Sequence, residues 1–304
     1  WQAMNAKKTK KIVVLATGGT IAGLASDAAR PENYTAGQVG VVDLLQGIVH
    51  DGVELMTEQV AQIDSKDMSF EVWQNLLARV AHWLEQEDVQ GVVITHGTDT
   101  LEEIAYFLQT ILHPTKPVAM TCAMLPANAP DSDGPGNFKD ALRWVQQPTA
   151  SGVSLVCAGQ VHAGQAVQKS HSNQRNPFTS QVGVTHPIAL RVPSVAQVLA
   201  CTQWPRVELV FNHAGADGRF VRALMAHDAP QGWVVAGTGN GTLHHDLEAA
   251  LLDAQKQGAQ VMRASRCAQG GVQSREADVL PHAGSLTAVQ ARVALLMHLV
   301  AQQT

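Results

Sequence analysis

Apolar residues along the chain fall into two alternating rhythms. Short runs rich in β-branched side chains recur at IVVLAT (12–17), GVVIT (91–95), PVAMTC (117–122), GVSLVCA (152–158), VELVF (207–211), WVVAG (233–237) and AQVMRA (259–264). Several show no period-two alternation, which predicts strands covered on both faces, as in a parallel sheet. Between them the spacing changes to three and four. In residues 70–84, Phe70, Trp73, Leu77, Val80 and Leu84 form one apolar stripe, the mark of a helix laid against a core. Residues 101–112, 138–145, 247–254 and 288–300 read the same way. This alternation predicts an α/β fold with right-handed crossovers. Pro187, Pro193 and Pro205 then interrupt the rhythm. The pattern predicts a large N-terminal parallel-sheet α/β domain over 10–185, an interdomain linker over 186–205 and a smaller C-terminal α/β domain over 206–304.

Composition narrows the classes of function. The 304 residues are 45% hydrophobic and 15% charged, ample for a large core. The formal net charge is -5, and the one basic run, residues 7–11, reads as an N-terminal tail. No nucleic-acid partner is expected. No apolar stretch approaches the ~20 residues that span a bilayer, so no membrane partner is expected either. WQAMNAKKTKK has a charged region without a separate apolar region, so it is not an intact signal peptide. Met4 as a start and Trp1 as an end left by processing both stay open. The four cysteines, Cys122, Cys157, Cys201 and Cys267, form no CxxC pair and read as reduced thiols. The expected location is cytoplasmic, or periplasmic if a leader was removed.

Two polar turns carry the candidate chemistry. In open α/β sheets ligands bind beyond the carboxyl ends of strands. LATGGTIAG (15–23) follows the first strand, and HGTDT (96–100) follows GVVIT. Gly18 and Gly19 permit a sharp turn and a close approach, leaving the Thr20 hydroxyl at the mouth. In the second turn Thr100 and Glu103 fit a capping box, and Asp99 suits a helix N-terminus. Capping leaves Thr98 and Asp99 in excess. No GxxxxGK[ST] phosphate loop occurs, and the strand after GTGNG (237–241) lacks the acidic residue that would hold a ribose. No nucleotide cofactor is expected. The thirteen histidines show no HExxH spacing, and the adjacent His244 and His245 are expected to face different ways. No metal is expected.

Together LATGGTIAG, NYTAGQVGV (33–41), DSKDM (64–68), ITHGTDTLEEIAYFL (94–108) and DGPGNFKDA (133–141) resemble the bacterial-type L-asparaginase/glutaminase family, in order and over nearly the whole chain. The resemblance implies a threonine-nucleophile amidohydrolase that acts on a small amide without a cofactor. It also implies a homotetramer, a dimer of dimers whose sites are shared across each dimer. By position it makes Thr20 the nucleophile and sets Tyr34, from the following loop, against it. Thr98, Asp99 and Lys169 become a second triad. Ser65 holds the substrate α-carboxylate, and Gly19 and Gly97, in the two turns, join it in binding substrate. A threonine hydroxyl needs a base to become nucleophilic, and a lysine serves if burial favours its neutral form.

Four positions depart from the family pattern. Lys66 stands where glutamine is common, Thr242 closes GNGT instead of GNGN, Glu276 only approximates the acidic residue of the C-terminal domain, and AGQ (163–165) replaces DGR. Two readings follow. Lys66 pairs with Asp99 or Glu276, and the enzyme is an asparaginase. Alternatively the α-amino pocket is rebuilt, because a lysine beside a substrate ammonium is repulsive, and the substrate is glutamine or an amide without a free α-amino group. From other classes, an ammonia-supplying amidase subunit and a non-catalytic amino-acid-binding relative are the alternatives. The absence of a basic surface argues against the first, the intact threonine pair against the second.

Overall fold

The structure is a computed structural model that describes residues 10–46 and 53–303. Residues 1–4 and the basic-run members Lys7 and Lys8 lie outside them. Lys11 does not belong to a tail. It opens the first strand and pairs with Asp88 at 2.9 Å.

The chain divides into two compact units, Trp1–Ser180 and Gln181–Thr304. The strands of the first are β1 (Lys11–Gly18), β2 (Leu24–Ala25), β3 (Tyr34–Thr35), β4 (Glu54–Ile63), β5 (Val89–Thr95), β6 (Val118–Thr121), β7 (Val153–Cys157), β8 (Gln160–Ala163), β9 (Val167–Lys169) and β10 (Phe178–Ser180). Its helices are α1 (Val41–Leu44), α2 (Phe70–Glu85), α3 (Leu101–Leu112) and α4 (Gly134–Val145). The main sheet runs β4-β1-β5-β6-β7-β8. It is parallel except for β8, which returns antiparallel along β7. β2–β3 and β9–β10 form separate antiparallel pairs.

The solid apolar runs become the strands buried on both faces. Ile12, Val14 and Val93 pack against Phe138, Ala141 and Val145 of α4, each large aliphatic contributing roughly 1.5–3 kcal/mol by its burial. β4 is a strand that the apolar runs did not predict. Its sequence ELMTEQVAQI mixes polar and apolar positions because it lies at the sheet edge and is partly exposed. The chain leaves β1 to form β4 on one side and then β5 on the other, so the order of strands reverses at β1. The carboxyl ends of β4, β1 and β5 therefore open onto a topological switch point, the place where α/β sheets bind ligands.

The second unit holds β11 (Val207–Phe211), β12 (Gly232–Gly237) and β13 (Gln260–Ser265), all parallel. Its helices are α5 (Val195–Ala200), α6 (Arg219–His227), α7 (His245–Lys256) and α8 (Ala288–Val300). Trp233 packs in a core with Val221, Leu247 and Leu251. α5 falls inside the proline-bearing stretch and starts with a capping box between Ser194 and Gln197. His244 and His245 do not diverge. Their rings stack at 4.4 Å with 24° between planes. His244 is the N-cap of α7, with φ -59° and ψ 138°. The alternation of faces that adjacent residues show in a strand does not hold there. The ligand atoms of half-buried His244, exposed His245 and exposed Asp246 lie within 4.8 Å of one another. Among the described residues no helix is long and apolar enough to cross a membrane.

Candidate active site

The three turns at the switch point are interlocked by glycines. Gly18 and Gly19 have φ of 107° and 81°, in the region that disfavours any side chain. A Cβ on Gly18 would sit 2.4 Å from Ile63 O, at the end of β4. The Gly19 N–H donates to that same carbonyl at 2.8 Å. The first turn is thereby tied to the end of β4, and Thr20 follows in a tight turn, buried with its neighbours.

Thr20 Oγ1 and the Tyr34 hydroxyl share a hydrogen bond of 2.7 Å. Tyr34 reaches it from β3, whose partner strand β2 pairs Ala25 with Tyr34. Gly23 makes room for the ring, since a Cβ there would meet Tyr34 Cδ2 at 2.9 Å. Tyr34 is 38% exposed and Thr20 is 6% exposed, so the phenol stands between the threonine and solvent.

On the second turn Lys169 Nζ donates to Thr98 Oγ1 at 2.8 Å and to Asp99 Oδ1 at 2.7 Å. Thr98 is buried, while the Asp99 side chain is 53% exposed and that of Lys169 only 15%. The lysine ammonium thus comes from beneath and the carboxylate faces the opening. Behind them His96 is fully buried. Its Nδ1–H donates to Gly97 O at 2.7 Å, and burial pushes the imidazole down to about 4.

Ser65, after β4, is buried and bonded to the second turn in both directions. Its Oγ accepts the Asp99 N–H at 3.2 Å, and its carbonyl accepts the Thr100 hydroxyl at 2.9 Å. This corrects the capping box expected at Thr100. Thr100 is the N-cap of α3, but its hydroxyl bonds across to Ser65 instead of capping its own helix. Lys66 takes neither partner expected of it. Its Nζ meets Asp67 Oδ2 at 2.5 Å, and its side chain is 62% exposed.

A cavity of about 450 Å³ joins these pieces, with Thr20, Tyr34, Thr98, Asp99 and Lys169 on its wall beside Met124 and Leu125. Asp133, from the DGPGN motif, fixes that last wall. Its carboxylate accepts the N–H groups of Met124 and Leu125 at 2.9 Å each. Asn137 joins the same support through Cys122 O at 2.9 Å. Thr242 and Glu276 lie in the second unit, and both are exposed. The Thr242 hydroxyl donates to Thr238 O at 2.9 Å within the turn.

One group at the site was not anticipated. Glu102, on the first turn of α3, is only partly buried yet is pushed up to about 7, by desolvation first and by Glu103 second. Its carboxyl accepts the backbone N–H of Lys169. The signal lay in the paired glutamates that follow HGTDTL, of which capping accounts for one at most.

The chain is similar to known proteins in sequence and in fold. The family described as Asparaginase, N-terminal matches residues 11–193, and Glutaminase/Asparaginase C-terminal domain matches 206–304. L-asparaginase 2 of Escherichia coli (strain K12) is 35% identical over 312 residues, covering 95% of this chain and 88% of that protein. Glutaminase-asparaginase of Pseudomonas fluorescens biotype A is 33% identical over 288 residues, covering 89% and 79%. The crystal structure of a probable cytoplasmic L-asparaginase from Campylobacter jejuni superposes with a TM-score of 0.86 at 32% identity, covering 97% of this chain and 96% of the other. With both family domains matched in order and the fold shared over nearly the full length, the chain belongs to the asparaginase family.

Proposed function

We propose that the protein hydrolyses the side-chain amide of L-asparagine to L-aspartate and ammonia through an acyl-enzyme on Thr20. The observation that carries this reading is the pair of threonine hydroxyls on one cavity, each already held by a proton-transferring partner: Thr20 by Tyr34 at 2.7 Å, Thr98 by Lys169 at 2.8 Å. Thr20 Oγ1 attacks the amide carbon as its proton passes toward Tyr34. The C–N bond breaks, and the nitrogen leaves as ammonia with a proton supplied through the site. Water then attacks the Thr20 ester, freeing aspartate and returning the hydroxyl proton. Thr98, Asp99 and Lys169 form the relay on the other side of the substrate. Buried Ser65 uses its Oγ to accept from Asp99, which leaves its own proton for the substrate carboxylate. Gly19 and Gly97 contribute by having no side chain, and backbone N–H groups of the second turn stabilise the oxyanion.

Thr20→Ala tests the assignment. Ammonia release from asparagine is expected to fall by ~10³-fold or more, as for removal of a nucleophile acting in a unit, with substrate binding retained. Activity equal to the parent enzyme would defeat it. Glutamine is the second reading, favoured by the glutaminase-asparaginase relative, and the ratio of kcat/KM for the two amides decides between them.

The working assembly is a homotetramer, a dimer of dimers, in which the exposed Thr242 and Glu276 complete the partner's site. Thr242→Ala and Glu276→Ala are then expected to raise KM without changing the fold. Sedimentation as a monomer at full activity would overturn this assembly. Residues 186–205 serve as the connection between the domains, with α5 an ordered piece inside it. A cytoplasmic location is supported by four free cysteines and by the likeness to the probable cytoplasmic L-asparaginase of Campylobacter jejuni.

A further inference from the structure

The lysine of the second triad is gripped at both ends by one strand-to-helix junction. Its ammonium is bound by Thr98 and Asp99, in the turn. Its backbone N–H is bound by Glu102, three residues further on. The strand that carries Lys169 explains why the second grip is needed. In the β9–β10 pair, Lys169 stands opposite Phe178. The next residue, Ser170, donates its N–H to Pro177 O at 2.8 Å. Antiparallel pairs alternate between hydrogen-bonded and non-bonded positions. The Lys169–Phe178 pair is therefore the non-bonded kind, and the Lys169 N–H points out of the hairpin, toward α3. A partly buried N–H left without an acceptor costs about 1–3 kcal/mol. The Glu102 carboxyl fills that role from the first turn of the helix that packs on β9.

We infer that Glu102 is a positioning residue for Lys169, fixing β9 against the start of α3 so that the ammonium reaches Thr98, and that the strength of this grip follows the charge of its own carboxyl. The inference rests on the reading of Thr20, Thr98, Asp99 and Lys169 given above. Burial raises the Glu102 carboxyl to about 7, Glu103 adds to the rise, and the N–H and ammonium of Lys169 oppose it. The carboxyl therefore changes charge in the neutral range where the enzyme would work. The groups around it are few. Glu103 lies on the same helix and Lys169 on β9. β7, which also packs on α3, has no charged side chain. α2 brings Glu71, Arg79, His82 and Glu85, of which Arg79 is tied to Glu58 at 2.7 Å. Asp99 is bonded to the ammonium at 2.7 Å.

Two variants separate position from charge. Glu102→Gln keeps an oxygen that can accept the Lys169 N–H but cannot ionise. Glu102→Ala removes both. The measurement is the pH profile of kcat and KM for ammonia release from asparagine, with Thr20→Ala in the same assay. Glu102→Ala is expected to lower kcat ~10-fold or more with KM within ~3-fold, as for a group that acts on the transition state alone. Glu102→Gln is expected to lose less kcat, because its amide oxygen still accepts the Lys169 N–H, and to lose the inflection near pH 7 that the Glu102 carboxyl sets. Profiles of Glu102→Gln that superimpose on the parent overturn the charge role. A kcat unchanged in Glu102→Ala overturns the positioning role. If Glu102→Ala does not fold, Glu102→Gln still carries the test. Activity surviving in Thr20→Ala would instead defeat the reading of the reaction, whatever Glu102 does.

Discussion

Gly19 and Gly97 cross so closely that neither can carry a side chain. A Cβ on Gly19 would lie 2.3 Å from Gly97 Cα, and one on Gly97 would lie 2.4 Å from Ser65 Oγ. The turns after β4, β1 and β5 are therefore set by backbone packing, and the distance between the two threonines follows from it. The cavity is built before any substrate arrives, which is the arrangement that electrostatic and proximity catalysis require.

Gly19→Ala should break this contact. The substitution meets backbone atoms and must also adopt a φ of 81°. A left-handed conformation alone costs about 1–2 kcal/mol, and the clash adds to it, for a total of ~3 kcal/mol or more. At ~2–4 °C per kcal/mol for a domain of this size, Tm should fall ~6 °C or more, with loss of activity. Gly40→Ala is the matched control, because Gly40 has a φ of -70° and nothing within 4 Å of its Cβ position. Equal melting of the two variants would show that the crossing is slack.

Lys169→Met removes the ammonium from Thr98 and Asp99 while keeping most of the side-chain volume. The ion pair with half-exposed Asp99 contributes little to stability, ~0–1 kcal/mol. Tm should then change by no more than ~4 °C. Loss of a group that relays protons should lower kcat by ~10²–10⁴-fold. A kcat within threefold of the parent would remove Lys169 from the relay.

Lys66→Gln addresses the substrate pocket. The exposed ammonium is occupied by Asp67 at 2.5 Å, the residue beside it, so its repulsion of a substrate ammonium is weak. The expectation is a KM for asparagine within ~3-fold of the parent, screened as exposed charges are, and no preference for N-acetyl-asparagine. A KM that drops tenfold on removing Lys66 would restore the rebuilt pocket.

How much of this was readable in the sequence depends on whether the determining contact was local. β1, β5, β6 and β7 were legible because burial on both faces leaves uninterrupted apolar runs. β4 was not, since an edge strand keeps polar side chains on its open positions. The hairpins β2–β3 and β9–β10 are two or three residues per strand, too short for any period to register. At the site, the glycine and threonine turns stood out because a plain turn has no need of them. Thr100 misled because a capping box is judged within four residues, whereas its actual acceptor, Ser65 O, is 35 residues away in sequence. Glu102 was overlooked for the same reason. Its partner is the backbone of a strand 67 positions further along, and only the hairpin register shows that this N–H needs an acceptor.

His96 and Glu102 should make opposite contributions to stability against pH. Burial holds His96 near 4, against 6.5 when unfolded. Between those values the unfolded chain takes up a proton that the folded chain refuses, so stability falls as pH drops from 6.5 to 4, by up to ~3 kcal/mol. Glu102 is held near 7, against 4.5. Between those values the folded chain keeps a proton that the unfolded chain releases, so its contribution is present below 4.5 and lost as pH rises through 7, again by ~3 kcal/mol. The two windows overlap almost completely, and the parent enzyme should show little net slope from these groups between 7 and 4.5. Urea unfolding at several pH values across that interval checks the sum. Relative to the parent, His96→Gln should gain stability on acidification and Glu102→Gln should lose it. Because the other titrating carboxylates are common to all three proteins, the differences isolate these two groups. If both variants run parallel to the parent, neither group is held out of its ordinary range by the fold, and the charge role assigned to Glu102 fails with it.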